Sequence, residues 1–315
     1  MHGRTVNGAG RLRRGATNVG FRTIIHPSRM SEALVPPLIS VILPVLNGEP
    51  WLVDQLRALA VQECAVPWEV LIADNGSTDG SKEVAQAWAD RHEGFHALDA
   101  SAIKGAPAAR NAGVRAAKGD LLAFCDADDV VYEGWLAGCL AALDEADVVA
   151  GTFDFWSLND GPPSSPKPAA SRQLGFLPAG LCANLAVRRT AFEQIGGFAE
   201  ELLVGEDVEL CWHLQLRGFR FAIAPNAIVA KRERSTSKQV FRQSLTYGRS
   251  GPVLFQRYRS AGAHRDLAGA MKTWVWLAAS LPMLHDPQRR KIWARAAGVR
   301  LGRLEASVRE RVLFP

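Results

Sequence analysis

Residues 121–130 read Leu-Leu-Ala-Phe-Cys-Asp-Ala-Asp-Asp-Val, and the rest of the chain is best read outward from them. The first five are apolar without alternation, the pattern of a strand covered on both faces. Three carboxylates, Asp126, Asp128 and Asp129, follow within four positions. Side chains alternate along an extended chain, so Asp126 and Asp128 are expected on one side, at the carboxyl end of the strand. Open α/β sheets bind their ligands at that end. Like charges held so close are unfavourable unless a cation or several donors lie between them. Mg2+ or Mn2+, held by one or two carboxylates plus substrate phosphates, meets that need. A plain turn is the other reading, since Asp is a common turn and N-cap residue.

Upstream, residues 38–44 form a short apolar strand, 45–49 a loop, and Pro50 opens a helix marked by Trp51, Leu52, Leu56 and Leu59 at helical spacing. Residues 68–73 are a second buried strand, ending in the polar cluster 74–80 and a helix carrying Val84, Ala85 and Trp88. A weaker strand at 95–98 and a helix from Pro107 to a stop at Gly119 lead back to residue 121. Downstream come a helix at 133–145, a strand at 147–156, and a Pro- and Ser-rich loop at 157–173, expected to be mobile and long enough to cover a site. Strands at 181–187, 219–224 and 227–230 enclose helices at 190–195 and 206–217. The remainder is expected to be mostly helical, at about 236–249, 266–285 and 287–312. Such strand–helix repeats predict an α/β fold with a mostly parallel sheet and helices on both faces, plus a helical C-terminal extension. No strand–helix turn carries G-x-G-x-x-G or G-x-x-x-x-G-K-[ST], which disfavours dinucleotide-binding and P-loop domains.

The net charge of +5 conceals an asymmetry. Residues 1–30 hold six Arg and no acidic residue, residues 31–230 hold 13 Lys+Arg against 27 Asp+Glu, and residues 231–315 hold 18 against 5. The Arg-rich, aperiodic residues 1–37 read as a disordered basic tail, and Met30 is an alternative start. A basic end on an acidic body suits an anionic surface or phosphate groups, or else a solvated face. Residues 271–284 are apolar, with Trp274 and Trp276 between basic flanks, but too short to span a bilayer. They suit a helix lying in a membrane interface, or one packed on the body or on a second subunit. The five scattered Cys read as reduced core residues, and with no signal-like segment the expected location is the cytoplasm, with peripheral attachment to the inner face of the membrane.

Seven short motifs in series carry a family resemblance over residues 38–232: Ile42-Leu-Pro-Val-Leu-Asn47, Ala73-Asp-Asn-Gly-Ser-Thr-Asp-Gly80, Ala109-Arg-Asn-Ala-Gly113, Phe124-Cys-Asp-Ala-Asp-Asp129, Ala183-Asn-Leu-Ala-Val-Arg188, Gly196-Gly-Phe198 and Gly205-Glu-Asp207. In this order they resemble the family 2 glycosyltransferases, inverting GT-A fold enzymes that use nucleotide-sugar donors. The resemblance implies a GT-A domain at 38–232, with a nucleotide-binding half at 38–130 and an acceptor-binding half at 131–232, followed by the basic helical region 233–315. It implies donor contacts from Pro44, Val45, Asn47, Glu49, Asp74, Lys104, Arg110 and Asp126. Asp126 and Asp128 would hold Mn2+ or Mg2+. Asp207 would be the general base, with Glu206 the alternative, and Asn184, Gly197 and Glu206 would shape the sugar and acceptor pocket.

The resemblance further implies transfer of a single sugar to a hydroxyl of a glycan, a lipid-linked acceptor or a small molecule. The Gln-x-x-Arg-Trp motif and transmembrane helices of processive members are absent from the sequence, which argues against a polysaccharide synthase of that kind. A sugar nucleotidyltransferase is the enzymatic alternative, but the loop after the first strand lacks its Gly-rich, basic character. A non-catalytic membrane or nucleic-acid adaptor on the same scaffold is the other; it would not need metal, base and nucleotide positions together. No nucleic-acid partner is expected, and the sequence leaves the oligomeric state open.

Overall fold

The structure is a computed structural model that describes residues 38–160 and 162–314. The tail expected to be disordered lies outside the described residues. In chain order the main elements are β1 (Ile39–Val45), α1 (Glu49–Ala60), β2 (Trp68–Asp74), α2 (Ser81–Ala89), β3 (Phe95–Asp99), α3 (Ala106–Ala116), β4 (Leu121–Cys125), β5 (Val130–Val131), α4 (Trp135–Leu143) and β6 (Val148–Asp154). They continue as β7 (Lys167–Pro168), β8 (Ala170–Arg172), β9 (Pro178–Gly180), β10 (Asn184–Arg188), α5 (Arg189–Gln194), α6 (Glu206–Leu216), β11 (Phe221–Ala230), α7 (Ser237–Gly248), α8 (Ser250–Tyr258), α9 (Leu267–Ala279) and α10 (Pro287–Arg309).

The main sheet runs β3-β2-β1-β4-β10-β6-β11-β5, with β7 beside β6. Its long ladders β1–β2, β2–β3, β1–β4 and β6–β11 are parallel, so the sheet is mostly parallel; β10 is antiparallel to both β4 and β6. The unalternating apolar strands follow from burial on both faces. Val41, Leu43, Ala123 and Cys125 enter one cluster with Leu52, Leu56 and Trp135 of α1 and α4. Ile42, Leu122 and Phe124 enter the other, with Val114, Phe192 and Trp212 of α3, α5 and α6. All five residues of β4 are buried.

Several boundaries differ from the sequence-based expectation, each for a local reason. The two strands expected at 219–224 and 227–230 are one, Phe221–Ala230, because β11 continues through Pro225 and Asn226; its pairing with β6 shifts register between Ile223 and Ile228, where Pro225 lacks an N–H for the ladder. Residues 157–173 do not remain a free cover. Lys167–Pro168 pairs with β6, Ala170–Arg172 pairs with β9, and the Ala169 N–H donates to the Gly151 carbonyl at 2.8 Å. The strand expected at 181–187 begins at Asn184, because a turn closed by the Asn184 N–H and the Leu181 carbonyl precedes it. The C-terminal region also contains α8, between the expected helices.

The C-terminal helical extension packs against the body. Leu254 and Tyr258 of α8 join the cluster of α6, where the Tyr258 hydroxyl donates to Glu209 at 2.7 Å and its ring meets Trp212 edge-on. Helices α7 and α10 approach through Gly298 and Gly302; a Cβ on Gly302 would collide with the Leu245 carbonyl. Their closeness thus requires glycine at the crossing.

Candidate active site

The carboxyl ends of β1, β2 and β4 meet at one edge of the sheet, and their loops are tied together by short polar side chains. Asn47, at φ 52°, accepts from the Thr78 N–H at 2.8 Å, and the Ser77 hydroxyl accepts from the Asn47 N–H at 2.9 Å. Glu49 accepts from the Gly80 N–H at 2.9 Å. Asp74 is buried and accepts from the N–H groups of Gly76 and Ser77. Lys104 lies over Gly76, whose missing side chain leaves room for it, and donates to the Asn75 carbonyl at 3.2 Å. Pro44 is half-buried, and the side chain of Val45 belongs to the core. The predicted donor loop is therefore a rigid double loop, braced before any ligand arrives.

Beyond β4 the chain does not stay extended: residues 126–129 turn back. Gln55 of α1 fixes both ends of the turn, donating to the Asp126 carbonyl at 3.1 Å and accepting from the Val131 N–H at 2.9 Å. The turn still gathers Asp126, Asp128 and Asp129, with carboxylate oxygens all within 4.8 Å of one another. Their charge is answered by cations from the end of β11. Lys231 Nζ lies 2.6 Å from Asp129 and 3.2 Å from Asp126, and Arg234 lies 3.2 Å from Asp128. Asp129 is sealed from solvent and also accepts from the Arg232 N–H at 2.9 Å. Burial opposes the charge of Asp126, but Lys231 and Arg110 outweigh it and hold its carboxyl below the usual range.

Arg110 of α3 is the hub of the site. Its buried guanidinium reaches Asp126 at 3.0 Å and Glu206 at 2.8 Å, and lies 5.9 Å from the centre of the Phe198 ring. Burial disfavours its charge, and the carboxylates around it more than offset that. Its Nε is buried without a hydrogen-bond partner among the described residues. Glu206 is pushed up to about 7, by burial first and then by the adjacent Asp207, against the pull of Arg110. Asp207, in the first turn of α6, accepts from the N–H groups of Val208 (2.8 Å) and Cys182. Burial raises its carboxyl above the usual range. Of the two neighbours, Glu206 is paired with Arg110, whereas among the described residues Asp207 accepts hydrogen bonds from backbone alone, with the charge of Arg110 opposing its upward shift.

Two predicted pocket residues have local structural roles. Asn184 is fully buried in the core: its amide donates to the carbonyls of Thr152 and Ala227, both at 2.9 Å, and its oxygen accepts from Trp135 Nε1 at 2.9 Å. With both amide hydrogens engaged and no exposed atom, it braces the sheet and does not line a pocket. Gly197, at φ 81°, serves a turn pinned by Asn111, which donates to the Phe198 carbonyl and accepts from its N–H. That turn seats Phe198 beneath Arg110. Lys231, Arg234 and Gln55 escaped the sequence reading. The only trace of the first two was the basic run Lys231-Arg-Glu-Arg234, read as part of a surface-seeking end.

A family model described as "Glycosyl transferase family 2" matches residues 40–196, which contain β1 to β10 and the Asp cluster. The chain belongs to the family 2 glycosyltransferases. Glycosyltransferase AglE of Haloferax volcanii is 30% identical over 206 residues, 61% of this chain and 66% of that protein. The pre-mycofactocin glycosyltransferase of Mycobacterium tuberculosis is 28% identical over 273 residues, 81% of this chain and 56% of that one. The matches thus span 56% to 66% of the length of these curated relatives. Among solved structures, mannosyltransferase PcManGT of Pyrobaculum calidifontis, in complex with GDP-Man and Mn2+, superposes with a TM-score of 0.59 at 17% identity, over 87% of this chain and 88% of that one. This family 2 glycosyltransferase therefore has a GT-A fold.

Proposed function

We propose that this chain is an inverting transferase that moves one sugar from a nucleoside-diphosphate sugar to an acceptor hydroxyl. The observation that carries the proposal is Asp207: a half-buried carboxyl raised above its usual range and in no ion pair among the described residues, joined through Glu206 and Arg110 to the Asp cluster. The Asp207 carboxylate takes the acceptor's O–H proton as that oxygen bonds to the anomeric carbon. The bond from that carbon to the donor phosphate breaks on the opposite face, the nucleoside diphosphate leaves with the bonding electrons, and the configuration inverts. The braced loops after β1 and β2 hold the nucleoside, and Arg110 fixes Asp126 and Glu206 about the reacting centre. The solved relative's donor, GDP-Man, belongs to the chemical class proposed here.

The residues present fit a divalent metal: three carboxylates within reach of one point supply the oxygen ligands such ions take. Asp126 and Asp128 would hold Mn2+ or Mg2+, which when bound supplies charge neutralisation for the departing diphosphate. Among the described residues the Asp128 carboxylate is paired with a partly exposed Arg234 alone, an inexpensive contact to exchange. Asp128→Asn is expected to weaken nucleoside-diphosphate binding in Mn2+ by about tenfold or more, the scale on which altered metal environments act. Titrations with and without EDTA check this, and equal losses in both would remove Asp128 from the metal.

Helix α9 supports a location at a membrane surface. Among the described residues no helix is long and apolar enough to cross a membrane. Helix α9 nevertheless leaves Met271, Val275 and Trp276 exposed, while Trp274 is half-buried and Leu277 packs inward. With the excess of Lys and Arg in residues 231–315, this apolar face suits an anionic inner leaflet, which would bring a lipid-linked acceptor within reach. Met271→Glu with Trp276→Glu should abolish co-sedimentation with phosphatidylserine vesicles at low salt; absence of binding by the unmodified protein would refute attachment.

A further inference from the structure

Two cations from the end of β11 face the Asp cluster, and they are held very differently. Lys231 lies between two carboxylates, 2.6 Å from Asp129 and 3.2 Å from Asp126, with its ammonium 5.8 Å from the centre of the Phe153 ring. Its side chain is 22% exposed and Asp129 is sealed, so this pairing is built in. Arg234 lies 3.2 Å from Asp128, its one ion-pair partner among the described residues, and its side chain is 36% exposed. The chain on either side of Arg234 is anchored. Asn159 donates to the Lys231 carbonyl at 2.8 Å and accepts from the Glu233 N–H at 2.7 Å, and Glu233 pairs with Arg295 at 2.7 Å. Two residues further on, Thr236 and Gln239 cap α7 reciprocally. The guanidinium can therefore leave Asp128 by side-chain rotation, with the backbone in place. Room lies beside it: Arg234 also lines a cavity of about 370 Å³ with Gln239, Arg242, Gln243 and Thr246 of α7.

The carboxylate that Arg234 holds is one that a divalent ion needs, and one carboxylate cannot give its charge fully to both. A metal ion arriving alone must displace Arg234 without compensation. A nucleoside diphosphate supplies the compensation, because its paired oxygens match the planar guanidinium fork. We propose that Arg234 is an exchange residue: it occupies Asp128 before loading and passes to the donor diphosphate when the metal takes Asp128. Metal and donor then bind cooperatively, each raising the affinity of the other by the same factor. Lys231, tied to two carboxylates, stays in place and does not take part. This inference rests on the metal-dependent transfer proposed for the chain, and adds the residue through which its metal and donor communicate.

The test measures two affinities of the full chain. Mn2+ binding without nucleotide is followed by the electron paramagnetic resonance of the free ion. Nucleotide binding at saturating Mn2+ is followed by calorimetry, with whichever of ADP, CDP, GDP, UDP and dTDP the unmodified protein binds most tightly. Arg234→Gln should move the two in opposite directions. Mn2+ alone should bind about threefold more tightly, the scale of one partly exposed ion pair. The nucleotide should bind about tenfold more weakly, as a charge-assisted fork is lost. Arg234→Lys keeps the competing cation but not the fork, so it should match the parent for Mn2+ and the Gln variant for nucleotide. Arg242→Gln removes a charge from the same cavity that is in no ion pair with the Asp cluster among the described residues, and should leave Mn2+ affinity nearly unchanged. Unchanged Mn2+ affinity in Arg234→Gln, an equal gain in Arg242→Gln, or a loss of both affinities together would overturn the exchange, and with the parent still binding metal and nucleotide the proposed transfer would stand. A parent that binds Mn2+ or every nucleotide too weakly to measure would sink both.

Discussion

Asp207→Asn is expected to lower kcat by about 10²–10⁴-fold, the contribution typical of a positioned general base. Donor binding should stay nearly intact, because the proton transfer is made only in the transition state. The geometry separates Asp207 from its neighbour: Glu206 accepts from Arg110 at 2.8 Å, whereas among the described residues Asp207 accepts only backbone N–H groups. The pH dependence has a definite sign. Burial raises the Asp207 carboxyl, so the basic form is lost, and activity with it, as pH falls through a value above that of an ordinary Asp. The same shift makes the ionised carboxylate a cost to the folded state at higher pH. The Asn variant should therefore be at least as stable as the parent at neutral pH, with the gain vanishing in acid. Steady-state kinetics beside thermal melts check both halves. Near-normal turnover in the variant would transfer the base role to Glu206 or elsewhere.

Arg110→Met should destabilise the protein by about 3–5 kcal/mol, the cost typical of removing one partner from a buried ion pair. Methionine keeps the volume but leaves Asp126 and Glu206 without the cation that holds them, and removes the contact with Phe198. Lys231 still answers Asp126, so the larger part of the loss should come from Glu206. That carboxyl is pushed up to about 7 even with Arg110 beside it, and without Arg110 it should rise further. Protonation then relieves the defect: the variant's deficit should be largest at about pH 8 and smaller at about pH 5. Urea denaturation at both values measures it. A deficit independent of pH would mean that packing on Phe198, and not charge, explains the loss.

Local pattern was enough for much of the fold. The unbroken apolar run of residues 121–125 specified a strand covered on both faces, and β4 is buried at every position, because a residue needs no distant partner to show that it avoids water. The polar runs after β1, β2 and β4 likewise marked the edge where the site forms, since chain that leaves a sheet must satisfy its backbone locally. The three carboxylates after β4 also announced a shared need for positive charge.

What answers that charge was decided by tertiary structure. Lys231 comes from 105 residues beyond Asp126, directly after a strand whose end reaches the cluster because β11 pairs with β6 in parallel; in sequence it is one more cation in a basic run. Asn184 lies in a motif that resembles a pocket wall, yet β10, set antiparallel between β4 and β6, turns its side chain into the core. Arg110 occupies a helix position that sequence alone allows to face solvent, and it is buried because Asp126 and Glu206 converge on it from opposite sides. Periodicity reports which face of an element is dry. Which charges meet there depends on strand order and register, set by long-range pairing that no local window contains.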